Sequence, residues 1–203
     1  MKYKNIVFDV GGVLLHYRWM EMLAEYGLSE ADADRFAAEI FPDPLWLEFD
    51  YENISFSEVV DLYAQKFPHF ADPIRWFFGH AHEMPIWLPD VWAEVRRLKK
   101  AGYHLYVLSN YSSYLLDLHV GKAAFWEDMD GKVVSYQIHS VKPDPTIYQE
   151  LFSRYGIRPE ESLFFDDRQA NVAAGVRLGM DGIVITGKEQ LIREIHKLLG
   201  EDK

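Results

Sequence analysis

Apolar and polar positions along this chain change period several times, and each change marks an element. Ile6-Val7-Phe8 is a short apolar run that stops at Asp9 and a glycine turn, Gly11-Gly12. A β-branched and aromatic run bounded in this way predicts a buried strand over residues 5–9, ending in a loop. From Arg18 to about His82 the spacing turns helical. Met20, Met22, Leu23 and Tyr26 fall at helical intervals before Gly27. Ser29 is placed to cap a helix over residues 30–40. Ser55 and Glu58 form a capping box ahead of Val59, Leu62, Tyr63 and Phe67. Pro42 and Pro44 interrupt the run, residues 70–82 read as helical again, and no strand is expected in this stretch.

Beyond Pro85 and Pro89 the strands return. Residues 91–100 predict an amphipathic helix stopped by Gly102, and residues 105–108 a strand ending at Ser109-Asn110, with one or two helices behind it. A strand over 133–138, a helix over 145–155 closed by Gly156, and a strand over 162–165 ending at Asp166-Asp167 follow. The pattern closes with a helix over 170–178, a strand over 182–185 and a helix over 190–199. Alternating strands and helices predict an α/β fold, a Rossmann-like parallel sheet flanked by helices. The helical stretch is inserted after the first strand. The expected organisation is therefore a core of residues 1–15 and 88–203 with a small all-helical cap over 16–87.

Composition narrows the classes. Of 203 residues, 49% are hydrophobic, which predicts a packed globular chain. Aromatics crowd the stretch from Tyr17 to Trp92 and are expected mostly as the packing of the helical part. A net charge of -11 with no Lys/Arg block disfavours nucleic-acid binding, while a small phosphorylated substrate needs only local positive charge. The absence of cysteine excludes disulfides, thiolate metal sites and cysteine nucleophiles, and fits a cytoplasmic protein. No apolar run is long enough to span a membrane, and Met1-Lys2-Tyr3-Lys4 leads straight into a strand, unlike a signal peptide. A monomer or a homodimer is expected.

The polar groups that interrupt the pattern carry the chemistry. Asp9, Ser109-Asn110 and Asp166-Asp167 all follow apolar strands, and Lys142 lies in the loop Val141-Lys142-Pro143-Asp144-Pro145. In open α/β sheets, ligands bind beyond the carboxyl ends of the strands. Three carboxylates converging there need compensation, and an all-oxygen donor set favours Mg²⁺. Lys142 adds fixed positive charge. Ser109 and the backbone N–H groups after Asp9 and Ser109 add hydrogen bonds. Such a site suits a phosphoryl group that Asp9 can attack.

Phe8-Asp9-Val10-Gly11-Gly12-Val13-Leu14, Leu108-Ser109-Asn110, Lys142-Pro143-Asp144-Pro145 and Phe164-Phe165-Asp166-Asp167 with Asn171 closely resemble the haloacid dehalogenase-like hydrolase superfamily over nearly the whole chain. Within it the chain resembles the glucose-1-phosphatase-like sugar phosphatases. The resemblance implies Asp9 as nucleophile, Ser109 and Asn110 at the transferring group, and Lys142 bridging nucleophile and phosphate. It implies Mg²⁺ held by Asp9, the Gly11 carbonyl, Asp166 and Asp167, with Asp167 the more direct ligand of the pair. Gly11 and Gly12 would border the substrate. The family's phosphatases usually carry a second aspartate where this chain has Gly11, and sugar phosphatases beginning Asp-x-Gly also occur. His16 is a candidate substitute acid/base, though loop packing is its plainer role; Arg18 and Trp46 are candidate substrate contacts. The expected activity is Mg²⁺-dependent hydrolysis of a small phosphorylated metabolite, plausibly a sugar phosphate. The alternatives are metal-independent dehalogenation and a non-catalytic phosphate- or partner-binding role.

Overall fold

In a computed structural model, which describes residues 2–201, seven strands build two sheets. The strands are β1 (Asn5–Phe8), β2 (Leu15–Tyr17), β3 (Pro85–Trp87), β4 (His104–Ser109), β5 (Gly131–Val134), β6 (Ser162–Asp166) and β7 (Asp181–Val184). The main sheet is parallel throughout, in the order β5-β4-β1-β6-β7. Its three central strands are nearly continuous apolar runs because helices cover both faces. Side chains alternate between those faces. Val7, Leu108 and Phe164 pack on one side with Ile147, Tyr148 and Leu151. Ile6, Phe8, Val107 and Phe165 pack on the other with Val91, Val95, Leu191 and Ile195.

Ten α-helices are described: α1 (Trp19–Tyr26), α2 (Glu30–Ile40), α3 (Trp46–Tyr51), α4 (Phe56–Lys66), α5 (Ala71–Gly79), α6 (Pro89–Lys100), α7 (Ser113–Val120), α8 (Pro145–Tyr155), α9 (Gln169–Arg177) and α10 (Lys188–Leu198). The Ser29 and Ser55 capping signals act as expected, and Asp144 supplies a further, unpredicted cap. Ser29 accepts from the Asp32 amide, Ser55 and Glu58 cap each other's backbone, and Asp144 accepts from the Thr146 amide. Helices α1 to α5 lie between β2 and β3. Phe36, Phe49, Tyr63, Phe77 and Phe78 are fully buried among them and meet ring to ring, so most of the aromatic excess is packing.

Three local departures matter for the site. Leu15–Tyr17 pairs antiparallel with Pro85–Trp87, a two-stranded ribbon where the chain enters and leaves the helical stretch. Helix α3 forms between Pro44 and Ser55, where no element was predicted. The strand expected over 133–138 ends at Val134. Ser135–Gln137 turns into a 3₁₀ helix there, because the buried Ser135 side chain is drawn to α3 and to Tyr111.

Candidate active site

Strand register assembles the polar groups. Phe8 pairs with Phe165 on one side and Val107 on the other. The next residues, Asp9 and Asp166, therefore stand side by side at the strand ends, and Ser109 closes the adjacent strand. The Ser109 hydroxyl donates to Asp9 Oδ1 at 2.6 Å, as does the Val10 amide at 2.6 Å. Lys142 Nζ reaches Asp9 Oδ2 at 2.9 Å and Asp166 Oδ2 at 2.6 Å. Asn110 fixes the lysine's backbone from both sides: its Nδ2 donates to the Lys142 carbonyl, and its Oδ1 accepts from the Lys142 amide. Asn171 Nδ2 and the Arg168 amide donate to the fully buried Asp166.

Burial opposes every charge here, and pairing decides which survive. Burial pushes the Asp9 pKa up, against the attraction of Lys142, and the nearby Asp166 charge adds to the rise. Burial also works against Lys142, but Asp9 and Asp166 outweigh it and hold the amine above its ordinary value. Burial, then the Asp166 charge, raise Asp167.

The donor set fits a hard divalent cation. One oxygen each from Asp9, Asp166 and Asp167 lies within 4.8 Å of the others. Three carboxylates face one lysine, no sulfur or imidazole takes part, and the buried Asn171 Oδ1 has no hydrogen-bond donor among the described residues. Gly12 is what lets the loop come this close. Its φ is +72°, and a Cβ there would sit 2.6 Å from Asp167 Oδ2.

Two cavities that share Phe41, Trp46, Asp50 and Asn110 in their walls open beside these groups. One, about 380 Å³, is floored by Asp9, Asn110, Lys142, Arg168 and Asn171 and roofed by Phe41, Trp46 and Asp50. The other, about 300 Å³, is lined by Tyr17, Trp19, Phe41, Trp46, Phe77 and Tyr111, with Asp50 and Asn110 at the junction. Helix α3 is tied to the loops of the main sheet. Ser135 Oγ donates to the Asp50 carbonyl at 2.7 Å, His139 Nδ1 to the Tyr51 carbonyl at 2.7 Å, and the Ser113 amide to the Glu52 carboxylate at 2.9 Å.

A buried hydrogen-bond chain runs behind Gly11. Only acceptance is possible at the Ala81 carbonyl, so His119 Nε2 donates to it, at 2.8 Å. Burial lowers the His119 pKa and keeps the ring neutral, so Nδ1 accepts from the Tyr111 hydroxyl at 3.0 Å. Tyr111 must then accept from Tyr17, at 2.5 Å. A Cβ on Gly11 would lie 2.6 Å from the Tyr17 hydroxyl. The space that a side chain at position 11 would need is thus filled by Tyr17, whose proton is already committed to Tyr111.

The structure brings Asp9, Gly11, Gly12, Ser109, Asn110, Lys142, Asp166 and Asp167 together, and Trp46 borders both cavities. It does not bring His16 or Arg18 to them. His16 pairs with Ile86 in the ribbon and lines a groove with Thr186 and Lys188 that includes none of Asp9, Ser109, Lys142, Asp166 and Asp167. Strand alternation turns it away from the face that Tyr17 presents. Arg18 instead forms an ion pair with Glu25. Asp50, Tyr17, Tyr111 and Arg168 border the site without having been predicted. Only Arg168 carried a signal, its place directly after the paired aspartates.

A family model of haloacid dehalogenase-like hydrolases matches residues 3–179. The chain belongs to this family. Among relatives of the hydrolase, D-ribitol-5-phosphate phosphatase of Bacteroides thetaiotaomicron is 27% identical over 189 residues, covering 88% of this chain and 89% of its own. A sesquiterpene phosphatase of Aspergillus oryzae is 25% identical over 205 residues, covering 98% and 97%. A HAD family enzyme from Bacteroides thetaiotaomicron, solved with magnesium and inorganic phosphate, superposes with a TM-score of 0.72 at 21% identity, over 91% of this chain and 95% of that one. Among the described residues, no helix is long and apolar enough to cross a membrane.

Proposed function

We propose that this hydrolase is a Mg²⁺-dependent phosphomonoesterase acting on a small phosphorylated metabolite through an aspartyl-phosphate on Asp9. The observation that carries the reading is Lys142, held against both Asp9 and Asp166 beside a third carboxylate on Asp167. Asp9 Oδ2 attacks phosphorus while Lys142 and Ser109 orient it and neutralise the transferring oxygens. Asp9, the Gly11 carbonyl, Asp166 and Asp167 would hold the cation, with Asp167 the direct ligand because Asp166 is already engaged by Lys142, Asn171 and the Arg168 amide. When bound, Mg²⁺ supplies charge neutralisation at the phosphoryl oxygens. Helices α1 to α5 act as a cap, and its hinges are residues 16–18 and 85–89, at the ribbon. Structures with and without phosphate that showed no movement there would remove the hinge.

The polyol phosphatase among the relatives supports a sugar or polyol phosphate, whose C–H faces suit an aromatic wall. The same six rings favour a second reading, an apolar alcohol as leaving group, and the sesquiterpene phosphatase supports it. The test is phosphate release from p-nitrophenyl phosphate, ribitol 5-phosphate, glucose 1-phosphate and prenyl phosphates, with Mg²⁺ and with EDTA, alongside Asp9→Asn. Mg²⁺-dependent release that vanishes in Asp9→Asn is the expected result. Haloacid turnover in EDTA with no phosphate release would replace this reading with carbon–halogen hydrolysis. Phosphate binding without turnover of either would leave a binding protein.

A further inference from the structure

Position 11 holds no acid, yet an alkoxide leaving group needs a proton and the aspartyl-phosphate needs a base for its water. Resting on the phosphomonoesterase reading, we infer that Asp50 of α3 is the general acid and base of the reaction. Three observations converge on it. Asp50 lies at the junction of the two cavities, so a phosphoryl group above Asp9 with its alcohol in the aromatic chamber puts the scissile oxygen beside this carboxyl. The residue is 8% exposed, and no donor among the described residues hydrogen-bonds its side chain; its carbonyl accepts from Ser135. A buried carboxyl without a structural partner is free for chemistry. The tethers from Ser135, Ser113 and His139 hold α3 over the floor of the site.

The neighbouring groups set its protonation. Burial, then the Asp9 charge, push the Asp50 pKa up to about 7, while Lys142 and Arg168 pull against the rise. A group poised there exists in both forms at neutral pH. Tyr17 is the competing donor. Its proton is spent on Tyr111, and burial raises its pKa, so it serves neither step. In the first step the Asp9 oxygen bonds to phosphorus and the P–O bond to the alcohol breaks. The Asp50 carboxylic proton goes to the leaving oxygen. In the second, water attacks phosphorus and the P–O bond to Asp9 breaks. Asp50 takes the water's proton, inorganic phosphate leaves, and both carboxyls are restored.

The experiment compares wild type, Asp50→Asn and Asp50→Glu with excess Mg²⁺, on p-nitrophenyl phosphate and on an alkyl phosphate such as glycerol phosphate. Nitrophenolate leaves without a proton, and an alkoxide does not. In Asp50→Asn, alkyl phosphate turnover is expected to fall roughly 100-fold or more. Nitrophenolate should appear in a burst at the wild-type rate, followed by slow turnover as aspartyl-phosphate accumulates. Asp50→Glu should recover part of the alkyl activity. The fall of wild-type kcat/KM for alkyl phosphate on the alkaline side of neutrality should disappear in Asp50→Asn. An unchanged substrate ratio in Asp50→Asn, or loss of the burst in step with alkyl turnover, would overturn Asp50 while leaving Mg²⁺-dependent wild-type activity standing. No phosphate release by wild type from either substrate would take both readings down.

Discussion

Replacing Asp50 by Asn should make the apoprotein more stable, and the gain should depend on pH. The carboxyl is buried, its side chain has no donor, and its pKa rises from an ordinary 3.8 to about 7. Asp9, Lys142 and Arg168 are the charged groups that act on it, Asp9 raising the value and the other two lowering it. A carboxylate with a raised folded pKa withholds stability wherever the unfolded chain is ionised and the folded one is not. The penalty is small below the unfolded value, grows as pH rises through the interval, and is complete above the folded value. At about 1.4 kcal/mol per pH unit, the interval from 3.8 to about 7 corresponds to about 4 kcal/mol at neutral pH and under about 1 kcal/mol near pH 4. Asparagine has the same shape and carries no charge to desolvate. Urea unfolding of both proteins in EDTA, at several pH values between about 4 and 7.5, reads the difference as a displaced midpoint with an unchanged slope. Heat unfolding at pH 7 should show a gain on the order of 10 °C. An Asp50→Asn midpoint that stays level with wild type across this range, or falls below it at neutral pH, would refute the reasoning.

Lys142→Met leaves Asp9 and Asp166 buried without their partner, so a loss of about 3–5 kcal/mol is expected at pH 7. Urea unfolding should show the loss shrinking in acid, as protonation of the carboxyls removes the uncompensated charge. Gly12→Ala places a Cβ 2.6 Å from Asp167 Oδ2 on a backbone with φ +72°, and calorimetric titration should show Mg²⁺ affinity falling roughly 10–100-fold. Gly11→Asp collides with the Tyr17 hydroxyl, which lies 2.6 Å from the added Cβ; thermal unfolding should report a loss of about 1–3 kcal/mol, and Gly11→Asp with Tyr17→Phe should recover part of it.

The floor of the site was legible because it is built from strand ends. Asp9, Ser109 and Asp166 each terminate an apolar run, and parallel register carries such termini to one edge. The capped helices were legible for a local reason: Ser29 and Ser55 act within three residues of themselves. Of the roof only Trp46 was legible. Helix α3 has six residues and no side-chain cap, so fewer than two turns carry its apolar pattern. Asp50 is inward-facing only because Ser135, Ser113 and His139 hold that helix in place, and all three lie far away along the chain. The β2–β3 pairing is equally non-local, three residues on either side of the whole helical stretch. His16 attracted the acid/base role because it lies where many members of the family carry another aspartate. Alternation in a strand hidden from the sequence turned it outward.

The tethers on α3 have a kinetic consequence. Glu52 and His139, at the two sides of this seam, both adopt the left-handed backbone that non-glycine residues seldom take, with φ of 54° and 49°. Parting the seam breaks the bonds to Ser113, Ser135 and Tyr51 together and lifts Asp50 off the floor in the same movement. With Asp50 as the proposed acid, access to the chamber and supply of the proton would therefore be one coordinate. On the proposed mechanism, a phospho-enzyme that opened early would lose the base its water requires, so hydrolysis would be timed by closure.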